Sequence, residues 1–229
     1  ESAPEYRAGT YPRTMKPFVE NLFPETDAKH SSTAEPSWTV AAALPVLRPV
    51  GQVAGCYILA EGPDGLYIID QHAAHERIMY EKTLTSSRNR TPAVQSLLEP
   101  GNIELSPAEA ANLAGVSDLL ETFGFVAEAF GGRTLLVRAV PSALSGSDWT
   151  TALHEFLNSP ESGSRGQEKL AELIACHAAV RAGKILTREE IRALLAELEK
   201  AETPNTCPHG RPTLMKLPIS ALERHFKRT

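Results

Sequence analysis

The apolar run Leu66-Tyr67-Ile68-Ile69 passes straight into Asp70-Gln71-His72-Ala73-Ala74-His75-Glu76-Arg77-Ile78-Met79-Tyr80-Glu81, with no glycine, proline or polar turn between. Four β-prone residues predict a short buried strand, and the Ala-, Met- and charge-rich residues after it predict a helix. Asp70 therefore falls at a strand-to-helix junction. At ~100° per residue, His72 and Glu76 lie about 40° apart on one helical face, with His75 about 60° to the other side and Met79 beside them. Glu81 points roughly opposite. Two readings follow: Asp70, His72, Glu76 and His75 converge on a metal, or Asp70 is the N-cap of a solvated first turn. Neither the H-E-x-x-H signature nor the zinc-deaminase pattern is present.

Composition sets the frame for this junction. At 229 residues and 42% hydrophobic, the chain can bury a core in one domain or two small ones. Its three cysteines, Cys56, Cys176 and Cys207, are too few and odd in number for a disulfide framework. With no signal peptide and no apolar run of membrane length, a cytoplasmic protein with reduced thiols is expected. A formal charge of −5 argues against strong nucleic-acid binding by the chain alone, since phosphate contacts need clustered Lys and Arg.

Residues 1–37 carry scattered prolines among Ser, Thr, Glu and Lys and read as a linker, with Phe18 to Phe23 as a short apolar exception. A chain that opens this way is expected to be the C-terminal part of a longer protein. Gly51 to Ala60 reads as a strand that contains Cys56 as a small core residue, followed by a turn at 61–65 and the strand before Asp70. Thr85 to Thr91 reads as loop.

Gln95-Ser96-Leu97-Leu98-Glu99-Pro100 is either an extended peptide that offers Gln and apolar side chains to a partner's pockets, or an edge strand ended by proline. Ser106-Pro107-Ala108-Glu109 opens a helix with a capping box, Gly131-Gly132 marks a hairpin, and Asp148 caps a helix through Leu157. Residues 158–166 read as a flexible loop. Gln167 to Gly183 reads as a helix apolar nearly all round, with Cys176 packed inside it by default. Thr187 opens another capped helix. In Cys207-Pro208-His209-Gly210-Arg211-Pro212 the prolines and glycine exclude helix, and an extended backbone turns Cys207 and His209 the same way, towards one metal centre.

Asp70 to Glu81, Ala175-Cys176-His177-Ala178-Ala179-Val180-Arg181-Ala182, Cys207 to Pro212 and Phe226-Lys227-Arg228 together resemble, in that order, the motif set of the MutL C-terminal domain in its endonuclease-bearing branch. The first motif, DQHA-x-x-E-x-x-x-x-E, is highly specific, and the set spans nearly all of residues 38–229. The resemblance implies an α+β fold of two small α/β subdomains: dimerisation and endonuclease from 38–85 and 166–229, and an external regulatory unit from 86–165. It implies Asp70, His72, Glu76, Cys176, Cys207 and His209 as metal ligands, the first three also catalytic. Glu81, Arg211 and Arg228 support them. Gln95, Leu97, Leu98 and Pro100 resemble the family's motif for the replicative sliding clamp.

Thiolates with imidazoles select Zn²⁺, while Asp70 and Glu76 also suit Mn²⁺ or Mg²⁺. A set of that size exceeds one tetrahedral ion and fits two neighbouring ones, which can hydrolyse a phosphodiester and so nick one DNA strand. The implied partners are a second copy of the chain, DNA held weakly, the sliding clamp, the mismatch-recognition protein MutS and the family's N-terminal ATPase domain. The implied place is the bacterial nucleoid. The competing expectation is a dimerisation and clamp-binding module whose zinc is structural, for which four ligands suffice.

Overall fold

The computed structural model describes residues 44–159, 161, 163–179 and 184–228, so the expected linker at 1–37 and its Phe18 to Phe23 segment lie outside the described residues. In chain order the elements are β1 (Arg48–Val53), β2 (Tyr57–Gly62), β3 (Gly65–Asp70), α1 (Gln71–Arg88), β4 (Val94–Glu104), α2 (Pro107–Thr122), β5 (Val126–Ala129) and β6 (Thr134–Pro141). After a short 3-10 turn at Ser142–Leu144 come α3 (Trp149–Asn158), α4 (Gly163–Ala178), α5 (Arg188–Leu198), β7 (Leu214–Pro218) and α6 (Ile219–His225). This is the expected α+β class, with antiparallel sheets ordered β1-β2-β3-β7 and β4-β6-β5.

The first sheet shows strand alternation at work. Ile58, Ala60, Tyr67 and Ile69 point to one face and are buried with Leu47, Ile78, Ile191, Leu195 and Leu198. The run 51–60 is not one strand, however. It breaks at Ala54 and Gly55, whose φ values of 53° and 63° form the left-handed pair that a tight hairpin needs. The Cys56 N–H closes this turn on the Val53 carbonyl at 3.1 Å. Cys56 is thus half-buried in a turn rather than packed within a strand.

Around the second sheet, Phe123, Phe125, Leu135, Val137, Phe156, Leu170 and Ile174 form a separate core. Both expected capping boxes are present, at Ser106 with Glu109 and at Thr187 with Glu190. Glu109 does more than cap, since its buried Oε1 also meets the His154 ring at 2.8 Å and accepts from the Asn158 amide at 2.9 Å. Burial pushes the Glu109 carboxyl up, but the Ser106 N–H, the His154 ring and the Ser106 hydroxyl outweigh it and hold it below the ordinary glutamate range.

Three expectations about helices change. Helix α1 continues into the expected loop as far as Arg88, and only 89–91 of it are non-helical. Helix α4 starts at Gly163, inside the supposed loop, with Gly166 in its first turns because a Cβ there would stand 2.2 Å from the Glu161 carbonyl oxygen. That helix is also one-sided: Leu170, Ala171, Leu173, Ile174 and Ala175 are buried while Cys176 is exposed. Cys176 is therefore not a core cysteine.

Candidate metal centre

The β3-to-α1 junction is held from both sides. The Asp70 N–H donates to the Thr213 carbonyl at 2.8 Å, and its carboxylate Oδ1 accepts from the N–H groups of His72 at 2.9 Å and Ala73 at 3.0 Å. This is a side-chain N-cap, which satisfies donors that the first helical turn leaves unpaired. One turn on, Glu76 is 0% exposed, and its Oε1 lies 3.2 Å from His72 Nε2.

The Cys207 to Pro212 segment reaches Glu76 from the far end of the chain. Its backbone is a turn rather than an extended run. The Gly210 N–H donates to the Cys207 carbonyl at 2.9 Å, the Cys207 N–H donates to the Arg211 carbonyl at 2.8 Å, and Gly210 takes φ +79°. This turn brings a carboxylate oxygen of Glu76, the Cys207 sulfur and a His209 ring nitrogen within 4.8 Å of one another. Cys207 is only 1% exposed. The Arg211 guanidinium pairs with Glu76 Oε2 at 3.1 Å, and its own pKa is raised first by Cys207 and then by Glu76.

A buried carboxylate, a buried thiol and an imidazole aimed at one point form a donor set that fits a zinc-like ion, and the carboxylate extends it to harder cations. His72 stands next to this group through Glu76. Asp70 is engaged as the helix cap, and Cys176 lies outside the cluster, though near enough to feel it: partial burial pushes its thiol up, reinforced by the charges of Glu76 and Glu155. His75 is half-buried, and burial, followed by the His72, Lys82 and Lys184 charges, lowers its pKa. Arg228 is exposed near the end of the described chain.

Glu81 has a definite task away from the cluster, in keeping with its place on the other side of α1. Its carboxylate accepts from the N–H groups of Glu202 at 2.7 Å and Thr203 at 3.1 Å, and it pairs with Arg77 at 3.7 Å. Arg77 in turn donates from Nε to the Thr206 carbonyl at 2.5 Å. Together they pin the strand of chain that delivers Cys207. Glu81→Ala leaves two exposed N–H groups without their charged acceptor, so it should cost roughly 0.5–1.5 kcal/mol. Hydrogen exchange at 202–206 is expected to rise in that variant while exchange in α2 stays unchanged; equal protection at 202–206 would contradict the assignment.

One partner of the centre, Glu172, has no motif in the sequence to mark it, and Arg211, expected as a supporting residue, has a definite contact. Glu172 on α4 meets His209 Nε2 at 3.0 Å, and Arg211 meets Glu76 rather than open solvent. The one local hint for Glu172 is its position four residues before Cys176, on the same helical face.

The clamp-like segment lies in β4, an edge strand that runs past Pro100 to Glu104. Its register against β6 slips between Ser96 and Gly101, which lifts the intervening residues out of the ladder. Leu97 turns inward against the second core, whereas Leu98 is fully exposed. The slip is pinned at Gly101, where a Cβ would stand 2.6 Å from the Trp149 ring. Gln95 is exposed and donates to the Ser96 carbonyl at 3.0 Å.

Residues 50–186 match the family model described as the MutL C terminal dimerisation domain. Over 205 residues the chain is 41% identical to the DNA mismatch repair protein MutL of Symbiobacterium thermophilum, covering 86% of this chain and 32% of that protein. It is 44% identical over 191 residues to the protein of the same name from Pelotomaculum thermopropionicum, covering 81% and 31%, respectively. Against that of Syntrophobacter fumaroxidans it is 43% identical over 192 residues, covering 82% and 28%. The chain thus spans about a third of the length of the curated relatives it matches. By the matched model and by these relatives, the chain belongs to the MutL family, through that family's C-terminal dimerisation domain.

Proposed function

We propose that this chain is a metal-dependent DNA endonuclease domain that nicks one strand during mismatch repair, pairs with a second copy of itself and docks on the sliding clamp. The observation that carries the reading is the meeting of Glu76, Cys207 and His209 within 4.8 Å, drawn from segments far apart in sequence. Glu76, Cys207, His209 and His72 would hold Zn²⁺. Asp70, whose cap bonds both use Oδ1, would offer Oδ2 to Mn²⁺ or Mg²⁺, and Cys176, near Glu76, would add a thiolate on the zinc side. When bound, such ions polarise a phosphodiester and stabilise the leaving oxygen. Arg211, paired with Glu76 but 60% exposed, would offer its guanidinium to a phosphate oxygen.

Supporting the dimer is the outward face of the first sheet, where Leu59, Ile68 and Met215 sit in one row and Tyr57 and Met215 are each 45% exposed. An isologous pairing of two such faces would cover them. Light scattering at tens of micromolar is expected to give the mass of two chains; a monomer there would remove the dimer from the account. With net charge −5, DNA affinity of the isolated chain should be low and salt-dependent, with Arg224, Lys227 and Arg228 the basic spots near the C-terminal end. MutS and the family's ATPase domain would supply the remaining contacts, at the bacterial nucleoid. Among the described residues no helix is long and apolar enough to cross a membrane.

The second reading is a dimerisation and clamp-docking module whose zinc is structural. What favours it is the use of Asp70 as a helix cap, which leaves His72, Glu76, Cys207 and His209 as a four-donor set sufficient for a closed site. Metal analysis combined with a supercoiled-plasmid nicking assay containing Mn²⁺ and clamp separates the two: zinc with nicking supports the enzyme, zinc without nicking the module.

A further inference from the structure

We propose that Glu172 is a positioning residue of the metal centre: it holds the Nε2–H of His209 so that Nδ1 is presented beside Glu76 and Cys207. This rests on the metal-centre reading above. The His209 ring stands between carboxylates from two helices, with Nε2 3.0 Å from Glu172 Oε1 on α4 and Nδ1 3.7 Å from Glu76 Oε2 on α1. A neutral imidazole has one donor and one acceptor nitrogen, and an ionised carboxylate only accepts. The short contact to Glu172 therefore draws the proton to Nε2 and leaves the Nδ1 lone pair facing the buried donors.

The arrangement also answers a geometric need. His209 lies in a turn between Pro208 and Gly210 with its side chain one-third exposed, where an imidazole held on one side alone can rotate. Glu172 is well placed to stop that rotation. Its side chain is 25% exposed on a helix packed against α1 by way of the cores, and Lys169 pairs with it at 3.6 Å from the other side. Carboxylates that hold the outer nitrogen of a ligating histidine fix its tautomer and raise its basicity, and losing one typically weakens metal binding about 10- to 100-fold.

The test uses the whole chain and zinc alone, by chelator competition, together with the His209 ring-nitrogen signals of the metal-free protein at mildly alkaline pH. Wild type is expected to carry its ring proton on Nε2. In Glu172→Ala the two tautomers should mix and zinc affinity should fall about 10- to 100-fold. Glu172→Gln, whose Oε1 still accepts, should lie between them. His209→Ala sets the floor. A wild-type ring protonated on Nδ1, or a Glu172→Ala variant that keeps both its tautomer and its zinc affinity within twofold while His209→Ala loses zinc, overturns the inference. If His209→Ala binds zinc as wild type does, the metal-centre reading is what fails, and the tautomer shift alone decides whether Glu172 orients the ring.

Discussion

Cys207→Ala is expected to lose zinc affinity by roughly 10²- to 10³-fold, about a quarter of the ~10–16 kcal/mol that holds a structural zinc. The sulfur is buried and shares its cluster with Glu76 and His209, so its loss removes the one thiolate of that cluster. A metal bound only by the folded state stabilises that state by mass action. The Tm of wild type should therefore rise with added zinc, and that of Cys207→Ala should not. In chelator the two midpoints should lie close together, since replacing a small buried thiol by a methyl removes little volume. Zinc content is the decisive readout: stoichiometric zinc in dialysed Cys207→Ala would show that the cluster does not hold the ion.

The double change Gln95→Ala with Leu98→Ala should abolish measurable clamp binding while leaving Tm and zinc content unchanged. Leu98 is fully exposed and Gln95 is held only by an exposed bond to Ser96, so truncating both should shift stability by no more than about 0.5 kcal/mol. In extended-peptide recognition a few pocket-filling side chains carry most of the affinity, and a contact this short buries little area. Losing both anchors leaves little to bind with. Surface plasmon resonance against immobilised clamp gives the comparison, and equal affinity of wild type and double variant would remove β4 as the docking segment.

The parts of the fold that were legible in the sequence are those governed by neighbours. Ser106 with Glu109 and Thr187 with Glu190 announce helix starts because each box closes within one turn. Gly131 and Gly132, both at positive φ, mark their hairpin for the same reason. Ala54 gave no such signal, because alanine rarely takes the left-handed φ it adopts here, and so a hairpin read as one strand. Gly163 and Gly166 look like loop residues and yet open a helix, since at Gly166 the packing of Glu161 leaves no space for a side chain.

At the site, helical spacing placed His72 with Glu76 and Glu81 on the other side, and both placements agree with the contacts. The turn at Cys207 to Gly210 was misread as extended because two prolines conceal the left-handed glycine that reverses the chain. Apolar content alone makes core packing the default for Cys176, because it does not tell which face of α4 is covered, whereas the structure leaves the thiol exposed. The pairings of Arg211 with Glu76 and of Glu172 with His209 join residues brought together only by tertiary packing.

Asp70→Asn is the most direct test of the proposed cutting of DNA at this centre. The amide keeps the shape and an oxygen for the cap while removing the charge offered to a second ion. The measurement is nicking of supercoiled plasmid with Mn²⁺ and clamp, under conditions where wild type converts the plasmid to open circles. The account predicts that Asp70→Asn retains zinc and its dimer but loses nicking by at least about a hundredfold. An Asp70→Asn protein that nicks as fast as wild type would contradict it.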